Sequence, residues 1–408
     1  MKSALACTLV VICTGAALGD ETPVVGEVSV EGNSRTRTNV ILRAARVAPG
    51  TPFTDSLRDD VRQRVYNLRV FDTVIVEPSR RDGVTSLTIH VTERWTLLPI
   101  PFASVADDVY RVGAFIVDTN FLGRAKTGAA GGYYGNRGSG GFLYYMDPDI
   151  AGTRWELVAQ TAYFGARRQR YDEGVEVDAF HEERAELATA LGYRVLRPLS
   201  IFVGWTVAEA HIDSDDGFPA TPREGGLLQG PSLTFELDAS DFQLYFQAGV
   251  QNRLRFETAF EALGSVRSFL RVTDRFQAAT RMAWDHALIA IADLQIETSD
   301  ALLDAFLAGG QPGTRGFHNQ GLWATRLATL ALEYHIPVWR PGWGVWTVLG
   351  FVDAGALDGQ SGPKTFVQPG AGFRMFLRQI ALPALGVDMT YSLEEHSFWA
   401  AVAVGFKI

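Results

Sequence analysis

Two short segments hold the residues best suited to chemistry. Gly313-Thr314-Arg315-Gly316-Phe317 lies in a stretch rich in glycine and proline, and Phe351-Val352-Asp353-Ala354-Gly355 ends an alternating strand. One places a guanidinium on a loop and the other a carboxylate inside an apolar strand, which suits a bidentate, charge-assisted bridge. Phe317 would add an anchor, and Gly316 would permit close backbone approach. A glycine-rich hairpin with a solvated arginine would explain Arg-Gly-Phe alone, so the two segments have to be weighed together. No catalytic arrangement competes with this fastening. The chain lacks a G-x-S-x-G motif, His396 and Ser397 point to opposite faces of a strand, and the seven histidines are scattered. No enzyme activity, cofactor or metal site is expected.

The strand that carries Asp353 has Thr347, Leu349, Phe351, Asp353 and Gly355 on one face and Trp346, Val348 and Val352 on the other. Similar alternation recurs from Tyr110 to Ile408. In 184–195, Ala185, Leu187, Leu191, Tyr193 and Val195 oppose Arg184, Glu186, Gly192 and Arg194; in 324–336, Leu330, Leu332, Tyr334 and Ile336 oppose Thr325, Thr329, Glu333 and His335. Most segments are longer than the strands of soluble sandwiches and fit tilted membrane strands.

Eleven candidates precede the glycine-rich stretch, near 110–118, 127–135, 140–147, 155–165, 173–180, 184–195, 199–210, 227–237, 242–254, 267–284 and 286–298. Five follow it, near 324–336, 345–353, 368–376, 383–393 and 398–408. The predicted fold is therefore mainly β, a closed transmembrane antiparallel β-barrel of about sixteen strands. Trp155, Trp205, Trp284, Trp339, Trp343 and Trp399 sit near strand ends, as an interfacial girdle requires. Asp353 should face the lumen, because a carboxylate on the lipid face is costly.

Residues 24–99 follow another pattern, strand, helix, helix, strand, strand. Gly26–Glu31 alternates, a helix is predicted over Thr38–Arg46 with Thr38 or Asn39 as cap, and a second begins after Thr54 with Leu57, Val61, Val65 and Leu68 at helical spacing. Strands over Phe71–Glu77 and Val84–Glu93 flank a turn at Arg81-Asp82-Gly83. Residues 1–19 read as an export signal, with Lys2, an apolar run from Ala4 to Ile12, and small residues at Ala17 and Gly19. Cys7 and Cys13 both fall inside it, so the mature chain should have no disulfide. The net charge of −9 argues against a nucleic-acid partner.

The first domain, with Asn67-Leu68-Arg69-Val70-Phe71-Asp72-Thr73-Val74 crossing from helix to strand, resembles a POTRA domain. The remainder resembles the BamA-type superfamily of outer-membrane assembly and secretion barrels, which includes TamA-like proteins and two-partner secretion transporters. Arg315, Gly316, Phe317, Phe351, Asp353 and Gly355 match its paired motifs on the sixth extracellular loop and thirteenth strand. Thr314 stands where the family usually has Val or Ile, and Ile408 ends the chain in place of the usual phenylalanine. Asp118-Thr119-Asn120-Phe121-Leu122-Gly123-Arg124 also looks like the family.

The resemblance implies a periplasmic POTRA-like domain at 24–99 and an outer-membrane barrel at 106–408. Its partners would be unfolded or nascent outer-membrane or secreted polypeptides, outer-membrane lipid and a periplasmic chaperone or accessory protein. The POTRA domain would receive chains, the barrel would insert or export them, and the loop would be locked inward by Arg315 and Asp353. Assembly members work through a weak seam between first and last strands, which here would be Tyr110–Asp118 and Phe398–Ile408. One POTRA-like domain, where assembly factors commonly have several, offers less surface for an accessory lipoprotein complex. The alternatives are a passive outer-membrane porin or a two-partner secretion transporter.

Overall fold

The computed structural model describes residues 23–404 apart from 82–83, 107–108, 173–174, 215–224, 244, 300, 319, 360–361 and 378–382. The expected export signal, the Asp82-Gly83 turn and Ile408 lie outside the described residues. The N-terminal domain runs β1 (Val24–Glu31), α1 (Thr38–Ala45), α2 (Asp55–Tyr66), β2 (Phe71–Arg81) and β3 (Val84–Glu93), with sheet order β1-β3-β2. Thr54 caps α2 by accepting from the Leu57 amide at 3.1 Å. By contrast, α1 starts after Arg37 without a side-chain cap, so neither Thr38 nor Asn39 serves as one. The apolar stripes Ile41/Ala45 and Val61/Val65 close over the sheet, where Phe71, Leu87 and Ile89 are fully buried.

Glu93 ties the end of β3 to the loop before α1. Its carboxylate accepts from Ser34 Oγ at 2.6 Å and from the Arg35 and Thr36 amides at 2.8 and 2.5 Å. Burial opposes its ionisation, but the bonds from Ser34, Thr36 and Arg35 outweigh that and hold the carboxyl down to about 2. A depressed value stabilises the fold fully above the ordinary 4.5 and loses that contribution as pH falls through about 2. The protection factors of amides 34–37 in the whole protein, taken against the intrinsic exchange rate at each pH, should be unchanged between about pH 7 and 5, then fall severalfold below. Glu93→Gln should exchange faster throughout; equal rates in variant and parent would refute the role.

The barrel strands are β4 (Leu97–Ala106), β5 (Val109–Phe121), β6 (Lys126–Gly135), β7 (Gly138–Asp147), β8 (Trp155–Asp172), β9 (Val175–Arg194), β10 (Leu199–Ser214), β11 (Gly226–Phe242), β12 (Gln247–Ala259), β13 (Phe269–Arg281) and β14 (Ala287–Glu297). After a long loop come β15 (Phe306–Ala308), β16 (Leu322–Trp339), β17 (Gly344–Gly359), β18 (Gly362–Leu377), β19 (Pro383–Ser392) and β20 (Ser397–Val404). The three-residue β15 pairs with β16 inside this loop, and the other sixteen strands close an antiparallel barrel. Outward positions such as Leu143, Leu187, Val203, Leu332 and Val352 are exposed and apolar.

The strand count agrees with the sequence reading, but two strands do not. Leu97–Ala106 is the first barrel strand, and segments 173–180 and 184–195 form one continuous strand, β9. Pro99 and Pro101 obscured the first, since proline is a strand breaker except at edges; both lie outside the rungs that β4 makes with β20. The run His181-Glu182-Glu183 hid the second, although Glu182 is buried in the lumen on Arg168 at 2.8 Å. The seam is therefore β20 with β4, not with Tyr110–Asp118, and the expected boundary between 99 and 106 falls within a barrel strand.

Candidate functional site

The loop between β14 and β16 turns back into the barrel. Its first leg is held where Arg267 Nη2 donates to Asp304 Oδ1 at 2.6 Å and Arg271 Nη2 donates to the Asp304 carbonyl at 2.9 Å. At the tip the Gly310 amide donates to the Thr314 carbonyl at 2.9 Å and the Thr314 amide to the Gln311 carbonyl at 2.8 Å. Thr314 Oγ1 also accepts from the Gly309 amide at 3.1 Å, a bond that valine or isoleucine could not make. These short turns project Arg315 into the lumen, where it is only 5 % exposed.

Three strands present groups to that guanidinium. β17 supplies Asp353, fully buried, with Oδ1 at 3.4 Å from Arg315 Nη1 and Oδ2 accepting from the Arg315 amide at 3.2 Å. β16 supplies Glu333, the carboxylate in closest contact with Arg315 Nη2, and His335 lies 2.8 Å from its other oxygen. β19 supplies Asp388, 3.8 Å from Arg315 Nε and held by Arg374 of β18 at 2.7 Å. Phe351 lies beneath, its ring centre 3.9 Å from the guanidinium carbon. The Arg315–Asp353 contact is thus one part of a basket and is not a bidentate fork.

Gly316 and Phe317 fasten the descending side. The Gly316 amide donates to Gln368 Oε1 at 2.8 Å, and a Cβ on Gly316 would lie 2.7 Å from Gln368 Cδ. Phe317 meets Phe366 edge to face at 4.9 Å, within a cluster that includes Leu327 and Leu357. Gly355 lies against the same Phe366 ring. His318 stacks on Tyr171 at 3.9 Å and meets Trp399 at 4.5 Å. Trp399 therefore packs on the loop inside the barrel, not in an outer girdle, whereas Trp155, Trp205, Trp284, Trp339 and Trp343 are exposed. Gly316→Val should displace Gln368 and expose the loop to protease; an unaltered digestion pattern would show that the contact is dispensable.

Sequence reasoning missed Glu333 as the nearest carboxylate, the Asp388–Arg374 pair, and the Arg267–Asp304 anchor. A signal existed for Glu333, an ionisable group on the lumenal face of the strand before Asp353. The missing information was register: Glu333 stands opposite Phe351, and Ala331 opposite Asp353. Among the described residues no group of His, Cys, Asp or Glu is arranged to hold a metal ion.

The Asp118–Arg124 segment has a different task, docking the N-terminal domain on the barrel. Asn120 Nδ2 donates to Thr36 Oγ1 at 2.8 Å, and the Arg37 amide donates to the Gly123 carbonyl at 2.9 Å. Gly123 adopts φ 68°, and a Cβ there would lie 2.1 Å from the Arg35 carbonyl oxygen, so glycine is required. Arg43 to Asp149 at 3.0 Å and Asn67 to Asp241 at 3.0 Å extend the contact across other strand turns.

Residues 120–378 match the family described as Omp85 superfamily domain, and residues 23–94 match POTRA, described as surface antigen variable number repeat. Among solved structures, CdiB from Escherichia coli is similar at a TM-score of 0.67 and 13% identity, covering 94% of this chain and 77% of that one. CdiB from Acinetobacter baumannii gives 0.65 and 12%, covering 94% and 74%. BamA from Haemophilus ducreyi lacking POTRA domains 1-3 gives 0.58 and 14%, covering 94% and 84%. No curated protein matches the chain.

Proposed function

The chain belongs to the Omp85 superfamily of outer-membrane insertion or secretion barrels, and from that premise we propose that its periplasmic POTRA domain receives unfolded polypeptides that the barrel inserts or exports. The observation that carries this reading is the occupied lumen: the loop bearing Thr314, Arg315, Gly316 and Phe317 is buried inside the barrel. A passive diffusion pore works through an open lumen. A loop fastened by hydrogen bonds and ion pairs is instead suited to release when a client arrives.

The sheet order β1-β3-β2 supports the receiving step. It leaves the outer edge of β2 unpaired among the described residues, with Ile75 more than half exposed. An extended client segment could add there as a further strand.

Depletion of the protein followed by comparison of outer-membrane and secreted proteomes tests the proposal. Loss of barrel proteins from the membrane would indicate insertion, and selective loss of secreted polypeptides would indicate export. Unchanged proteomes, together with free passage of small sugars through the reconstituted protein, would replace this reading with a porin.

A further inference from the structure

A cavity of about 1050 Å³ lies between the two POTRA helices and the strand turns at the adjoining mouth of the barrel. Its lining is dominated by arginine. Arg43, Arg64 and Arg194 are engaged by Asp149, Asp60 and Glu156. Arg46, Arg124, Arg154 and Arg197 also line it and have no carboxylate within ion-pair distance among the described residues. Two of the acidic lining groups already serve polar neighbours, Asp241 through Asn67 and Asp238 through Ser240.

We propose that this vestibule binds an acidic segment of a polypeptide client on its way from the POTRA domain to the lumen. The assignment deepens the polypeptide-handling reading and rests on it. Uncompensated guanidinium groups on both walls of one cavity raise the local concentration of anions. Carboxylates match the guanidinium fork, and Leu68, Val195 and Leu196 give the intervening side chains apolar contact. The cationic surroundings are evident at Arg46, whose pKa is lowered by burial and then by Arg197, Arg194 and Arg64.

The test uses the whole protein in nanodiscs of uncharged lipid, with a fluorescein-labelled Glu-Gly repeat peptide as probe and a Lys-Gly peptide as control. The acidic peptide should bind, more weakly as salt is raised. R46Q/R197Q should weaken it about tenfold. R124Q/R154Q, a second pair in different turns, should also weaken it, while R58Q, on an arginine paired with Asp55 and Asp59 outside the cavity, should not.

Equal affinity in both double variants and the parent, or equal binding of both peptides, overturns the vestibule and leaves the polypeptide-handling reading standing. So does failure of the peptide to bind while phosphatidylglycerol co-purifies with the parent and is lost from R46Q/R197Q, which assigns the cavity to a lipid headgroup. Unchanged proteomes on depletion overturn the broader reading, and the client assignment with it, whatever the peptide does.

Discussion

Arg315→Ala is expected to free the inward-folded loop, make it at least about 100-fold more sensitive to protease, and abolish client handling while the barrel remains folded. The guanidinium is shared among Glu333, Asp353 and Asp388, with Phe351 beneath it. Removing it leaves three buried carboxylates with Arg374 and His335 as the adjacent compensating groups. Breaking a buried ion pair costs about 3–5 kcal/mol. A loop can relieve that cost by opening locally, so the change appears as loop exposure before it appears as barrel melting.

The variants should follow a particular order. Glu333→Gln should expose the loop at least as strongly as Asp353→Asn, because Glu333 makes the closest contact with the guanidinium. Asparagine at 353 retains an oxygen that can accept from the Arg315 amide. Arg315→Lys should not rescue, since a compact ammonium cannot span three carboxylates while stacking on a ring. Limited proteolysis of the reconstituted protein, read by mass spectrometry, measures all of these. Wild-type protection in Arg315→Ala would show that the basket does not hold the loop.

Joining the seam with a disulfide is expected to have the second large effect. β20 and β4 share four rungs among the described residues, from Ala401–Ala106 to Val404–Ala103, whereas β4 and β5 are paired along the whole of Leu97–Ala106. Four backbone hydrogen bonds contribute about 4 kcal/mol in water and more in hydrocarbon. Among the described residues this is the barrel junction with the fewest rungs. Val105 and Val402 are directly opposite, and opposite residues in antiparallel strands fall within disulfide range.

With cysteines at both positions, the oxidised protein should lose client handling by at least about tenfold and regain it on reduction. Cys7 and Cys13 lie in the expected export signal, so no other thiol would compete in the mature chain. Full activity in the oxidised form would rule out an opening seam and leave passage through the lumen as the route. The same variant thus separates two mechanisms that the fold permits equally.

Alternation with a period of two was legible from residues alone, and it determined much of what mattered. It placed Asp353 on the same face as Phe351 and Gly355, and lipid cost then assigned that face to the lumen. It yielded sixteen strands because a missed strand at Leu97–Ala106 and a strand wrongly divided at His181–Glu183 compensated each other. Local chemistry was equally readable at Thr54, where a hydroxyl before a helical stripe needs only its own neighbours to act as a cap.

What the pattern could not contain was register. A period of two states which face a residue occupies but not which rung it meets, and sliding one strand by two residues preserves every face while changing every partner. Glu333 lies closest to Arg315 because β16 and β17 are paired so that Glu333 stands opposite Phe351. Asp388 and Arg374 join the basket because β18 and β19 follow in the same closed sheet. The sequence by itself therefore determined the barrel, its lumenal carboxylate and the arginine that enters. Tertiary structure alone decided that the arginine is shared among three carboxylates, since only closure of the barrel fixes the rungs that bring them to one point.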